Sequence, residues 1–135
     1  MPKKKPKILI VDDNPTQLYV LTRISDQAGY ECTEAQSGED AWEQLEREIP
    51  DIVVCDVKLP QMDGFELCRK IRDRLKARIP LILVTSMYYA SEREAADTAK
   101  GKKKAKECGA LDLFPRGEAI QNLPVLLQTL AAKVK

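Results

Sequence analysis

Apolar positions recur along this chain in two rhythms. Short runs at 7–11 (KILIV), 52–55 (IVVC) and 81–84 (LILV) are almost unbroken. Runs of that length without alternation suit strands covered on both faces, so they predict central parallel strands. With two weaker runs, the predicted strands are 7–11, 31–35, 51–56, 81–85 and 110–114. Between them, apolar residues fall three and four apart. Leu18, Leu21, Ile24 and Ala28 share one helix face, with Asn14 as cap, Pro15 in the first turn and Gly29 as the stop. Ser37 and Asp40 read as a capping box ahead of Ala41, Leu45 and either Ile49 or Trp42. Asp63 and Glu66 open a helix that turns Phe65, Cys68, Ile71 and Leu75 inward. The last helix carries Ile120, Leu123, Leu127, Leu130 and Val134. Five alternations of strand and helix predict one α/β domain over 1–135 with a parallel sheet. A basic tail (1–6) precedes it, and 90–107 reads as an extended or broken fourth helix with Gly101 as the candidate break. No second domain is expected within these residues.

Composition narrows the chemistry. No apolar run approaches the roughly 20 residues of a membrane span, and the N-terminal run is too short for a signal peptide, so a cytoplasmic protein is expected. Histidine is absent from all 135 residues, which excludes Ser-His-Asp and Cys-His catalysis and imidazole-bound zinc. The four cysteines form no CxxC pair and read as small buried hydrophobes. Net charge is +1 but uneven, because residues 1–7 and 100–107 each carry +4. Each lysine cluster is either a solvated surface or a docking site for an acidic partner. Near-neutral charge and the lack of interleaved aromatics argue against nucleic acid as a direct ligand.

In an open α/β sheet, ligands bind beyond the carboxyl ends of the strands. There the chain places Asp12 and Asp13 after strand one, Asp56 at the end of strand three, Thr85 and Ser86 at the end of strand four, and Arg116 after strand five. Carboxylates this close repel one another unless one protonates or a cation intervenes. Hard oxygen donors on an open rim suit Mg²⁺. A carboxylate beside a metal, a hydroxyl and a cation is equipped for phosphoryl transfer.

The segments VDDNP (11–15), DIVVCDVKLPQMDG (51–64), PLILVTS (80–86) and GALDLF (109–114) together resemble the receiver domain of two-component response regulators over nearly the whole chain. The resemblance implies a flavodoxin-like five-stranded parallel sheet of order 2-1-3-4-5 flanked by five helices. It makes Asp56 the phosphoacceptor and gives Mg²⁺ to Asp12, Asp13, Asp56 and the Lys58 backbone carbonyl. Thr85 matches the hydroxyl that moves onto the phosphoryl group. A histidine kinase or phosphotransfer protein would be the donor, and a downstream protein would read the result.

The chain departs from the family pattern after strand four. Arg116 stands where family members carry Lys, Gly117 stands in place of the following Pro, and Leu113 replaces the switching aromatic, with Phe114 expected on the opposite face. Two functions therefore stand open: a stand-alone phosphoacceptor receiver, and a receiver-like interaction module that signals without phosphorylation. A hydrolase is disfavoured, because residues 56–58 read DVK and supply no second acid beside the nucleophile. At most, slow self-dephosphorylation is expected.

Overall fold

The structure, a computed structural model, describes residues 5–75, 79–85 and 92–133, with the backbone alone for 92–98, 116 and 131–133. Ser86, Met87, Val134 and residues 1–4 of the basic tail lie outside the described residues. Ten elements alternate: β1 (Lys7–Val11), α1 (Pro15–Gln27), β2 (Glu31–Ala35), α2 (Gly38–Arg47), β3 (Ile52–Asp56), α3 (Gly64–Arg74), β4 (Leu81–Thr85), α4 (Glu92–Cys108), β5 (Asp112–Pro115) and α5 (Arg116–Lys133). All strand pairs are parallel and the sheet order is β2-β1-β3-β4-β5.

Strand periodicity divides the core into two layers. Leu9, Val53, Cys55, Leu81, Leu83 and Leu113 pack beneath α2, α3 and α4. Their alternates Ile8, Ile10, Val54, Ile82, Val84 and Phe114 pack beneath α1 and α5. Leu113 and Phe114 thus face opposite sides, as a regular strand requires. Tyr30 fixes the second layer: its buried hydroxyl donates to the Leu127 carbonyl at 2.6 Å, tying the start of β2 to α5.

The helix ends follow local chemistry. Asn14 Oδ1 accepts from the Thr16 and Gln17 amides at 2.9 and 3.2 Å. At Gly29 (φ +94°) the Tyr30 amide reaches the Ser25 carbonyl and the Gly29 amide reaches Asp26, a left-handed cap that favours glycine. The same motif closes α4 at Gly109 (φ +89°), through Ala110 to Ala105 and Gly109 to Lys106. Ser37 accepts from the Asp40 amide at 3.0 Å, but Asp40 answers the Gln36 amide at 3.4 Å. The reciprocal half of the predicted box is displaced by one residue.

Some expectations change, and two open alternatives are settled; β3 starts at Ile52 rather than Asp51. β5 starts at Asp112, because the Ala110 amide is committed to the α4 cap, and it runs one residue further, to Pro115. A proline costs little there, since β5 is an edge strand. Ile120 is 47% exposed, with Ala119, Leu123 and Leu127 forming the buried stripe instead. Of Trp42 and Ile49, Trp42 packs inward, since α2 ends at Arg47. α4 passes through Gly101 unbroken.

Two glycines in helices have opposite needs. A Cβ on Gly64 would lie 2.6 Å from the Asp56 carbonyl oxygen, whereas one on Gly101 would meet Leu113 at an ordinary 3.5 Å. Gly64→Ala should therefore lose about 1–3 kcal/mol by overpacking. Gly101→Ala should gain roughly 0.5–1 kcal/mol by restricting the unfolded chain. Urea denaturation of both variants checks the pair. Burial, then the Asp51 charge, pushes the Tyr30 phenol up to about 12. The unfolded phenol ionises near 10, so this contribution is complete below pH 10 and fades as pH rises towards 12. Tyr30→Phe should cost about 1 kcal/mol at neutral pH and show a shallower alkaline decline in a pH series of denaturation midpoints.

Candidate functional site

The parallel sheet brings the polar ends of its strands onto one rim. Val11 pairs with Cys55, so Asp12 leaves β1 level with Asp56 at the end of β3. Asp56 pairs with Val84, and Thr85 follows on the next strand. Thr85 pairs in turn with Pro115, after which Arg116 begins α5. Residues distant in sequence thus step across β1, β3, β4 and β5 in register.

Carboxylate oxygens of Asp12, Asp13 and Asp56 lie within 4.8 Å of one another. Asp12 and Asp56 are 1% and 3% exposed, while Asp13 is exposed. Asp12 Oδ1 accepts from the Asn14 amide at 2.9 Å, and the Asp12 amide donates to the Ala35 carbonyl at 3.0 Å. These bonds hold Asp12 between the end of β1 and the start of α1. Octahedral Mg²⁺ takes oxygens at about 2.0–2.1 Å, which puts opposite ligands about 4.2 Å apart. Three all-oxygen donors in this arrangement fit such an ion. Burial, reinforced by the Asp56 and Asp12 charges, pushes the Cys55 thiol well up, so it remains a neutral packing group beneath the rim.

The loop 57–63 fixes the far side of the rim. The Val57 amide continues the sheet to the Val84 carbonyl at 2.9 Å, and the Gly64 amide returns to the Val57 carbonyl at 2.8 Å. Only glycine allows α3 to start this close to Asp56. The Met62 amide bonds to the Pro60 carbonyl at 2.8 Å across Gln61, whose φ is +67°. This three-residue turn is strained for a side chain other than glycine. It seats Met62 against Gly38 at the start of α2. Lys58 is exposed in the same loop.

Of the sequence-predicted residues, Asp12, Asp13 and Asp56 converge, and Thr85 is placed on the strand beside Asp56. Arg116 is placed by its backbone at the β5–α5 junction; its side chain lies outside the described residues. Lys102 escaped notice within its lysine run. Its Nζ donates to the Leu113 carbonyl at 2.7 Å and to Asp112 at 3.2 Å, and it lies 5.4 Å from the centre of the Phe114 ring. Nothing local in the sequence separates it from Lys103 or Lys106, because the contact depends on the packing of α4 against β5.

Comparison with known proteins agrees with this geometry. The sequence profile of the response regulator receiver domain matches residues 8–116. Protein PilH of Pseudomonas aeruginosa is 37% identical over 81 residues, 59% of this chain and 67% of that protein. The alkaline phosphatase synthesis transcriptional regulatory protein PhoP of Bacillus subtilis is 38% identical over 80 residues, 59% of this chain and 33% of that protein. The chain therefore spans about a third of the latter relative. The crystal structure of a putative response regulator from Chloroflexus aurantiacus matches with a TM-score of 0.80 and 32% identity, covering 96% of this chain and 99% of that one. By sequence, strand order and the composition of its rim, the chain belongs to the response regulator receiver domains of two-component systems.

Proposed function

We propose that this chain accepts a phosphoryl group on Asp56 from a histidine kinase or phosphotransfer protein and signals through changed protein–protein interaction. The observation that carries this reading is the meeting of three carboxylates within 4.8 Å at the ends of β1 and β3. Asp12, Asp13, Asp56 and the Lys58 carbonyl would hold Mg²⁺, as receiver domains do at their acidic pocket. When bound, the ion supplies positive charge that offsets both the carboxylate repulsion and the charge of the incoming phosphate.

The chain's own residues perform the transfer. A carboxylate oxygen of Asp56 forms the new P–O bond as the P–N bond of the donor's phosphoimidazole breaks. The leaving imidazole nitrogen takes a proton, and an acyl phosphate remains on Asp56. The buried β3 backbone and the Gly64 approach fix Asp56 for in-line attack. The Thr85 hydroxyl can donate to an equatorial oxygen from the adjacent strand. Arg116 would grip the same oxygens, with a planar fork in place of the point charge of a lysine.

A second reading, a phosphorylation-independent interaction module, is favoured by one specific observation. Leu113 is 2% exposed in the core, while Phe114 faces the other layer with the Lys102 ammonium beside its ring. The aromatic is therefore not in the position from which a receiver couples its hydroxyl to the outer face.

Incubation with acetyl phosphate and Mg²⁺ should add the mass of one phosphoryl group to the wild-type chain and none to Asp56→Asn. Millimolar Mg²⁺ should also raise the unfolding free energy, by about 1.4 kcal/mol at tenfold its dissociation constant. Asp13→Ala should remove that increment. A metal-dependent rise with no acyl phosphate selects the second reading. Neither effect in the wild-type chain contradicts both the acceptor and the metal site.

A further inference from the structure

The overall charge of +1 conceals a strong separation within one helix layer. Residues 31–48, forming β2 and α2, carry seven acids and one arginine, for −6. On α3, Arg69, Lys70, Arg72 and Arg74 outnumber Glu66 and Asp73, for +2. α4 as a whole carries +2, since Glu92, Arg93, Glu94 and Asp97 precede the lysines, but its C-terminal half is concentrated: residues 100–107 set five lysines against Glu107, for +4. On the sheet face that α2, α3 and α4 cover, α2 itself carries −3, with Glu31 and Glu48 beside it, whereas α3 carries +2 and residues 100–107 carry +4.

The positive flank is a fixed platform. Arg72 donates twice to the Gly109 carbonyl, at 2.6 and 3.1 Å. The Cys68 Sγ lies 3.2 Å from the Cys108 carbonyl, and the Lys104 ammonium sits 4.6 Å from the centre of the Phe65 ring. Lys100, Lys103 and Lys106 remain exposed on the outer side. A rigid charged surface binds with less ordering cost than a flexible tail.

We propose that this α3–α4 face docks a short acidic segment of a partner protein, and that the acidic α2 flank sets the segment's direction by repulsion. The proposal does not depend on Asp56 accepting phosphate. Residues 99–108 rise only about 15 Å, so the patch reaches few phosphates of a duplex. Phe65, 7% exposed, offers no face on which a single-stranded base could stack. Among the described residues, neither helix presents an exposed large hydrophobic side chain that would enter a bilayer. A compact run of carboxylates matches the surface in length and charge, and the opposing flank gives it a direction.

Fluorescence anisotropy with a labelled poly-glutamate peptide of about twelve residues tests the face on the full chain. Binding should weaken roughly tenfold between about 50 and 200 mM salt. Lys100→Glu, Lys103→Glu and Lys106→Glu combined should weaken it at least tenfold, with the unfolding midpoint retained. Lys102 and Lys104 stay intact in that variant because they contact β5 and Phe65. Glu39→Gln, Glu43→Gln and Glu46→Gln combined should tighten peptide binding, by removing the repelling flank. Unchanged peptide affinity in the lysine variant overturns the proposal. So does tighter binding to a DNA duplex or to phosphatidylserine vesicles than to the peptide, which would make the face a nucleic-acid or membrane surface.

Discussion

Mutual repulsion among Asp12, Asp13 and Asp56 sets the terms for the structure around them. At 4.8 Å, each pair of full charges costs about 3–4 kcal/mol at an effective dielectric near 20. Water weakens this for exposed Asp13, but Asp12 and Asp56 are almost wholly buried. A chain free to relax would part them. The sheet prevents that, because Asp12 and Asp56 terminate adjacent parallel strands in register. Gly64 packs against the Asp56 carbonyl, where a side chain of any size would push it away. The fold therefore holds three carboxylate groups together in an arrangement suited to a cation.

The two halves of the rim differ in how they are built. Around β1 and β3, backbone bonds and the Asn14 amide hold the acids in place. Around β4 and β5, the parts depart from the usual receiver. Leu113 fills the core, and Lys102 spans from α4 to Asp112, the Leu113 carbonyl and the Phe114 ring. The edge strand is thus tied to α4 by the Lys102 ammonium.

Much of this was legible in the chain because its causes are local. Unbroken apolar runs marked the buried strands, Asn14 and Gly29 marked the limits of α1, and Asp56 stood out as a charge closing a hydrophobic run. What escaped depends on three-dimensional approach. The necessity of Gly64 arises from a carbonyl eight residues earlier and a helix entering beside it. The strained turn at Gln61 carries no residue that advertises a positive φ. Gly101 was the candidate break in the lysine-rich helix, whereas the left-handed residue that closes it is Gly109. Ile120 looked like a core residue by spacing, but the α5 stripe turned out to begin at Ala119.

Whether the acidic rim is held against its own charge can be measured without any phosphodonor. Denaturation midpoints of the wild-type chain and Asp13→Asn should be compared in a metal chelator and again in millimolar Mg²⁺. Relief of repulsion should make Asp13→Asn the more stable protein in chelator, and loss of a ligand should make it the less stable one in Mg²⁺. A variant that is less stable in both conditions, by the same margin, would contradict the account of the rim as a cation site held against its own charge.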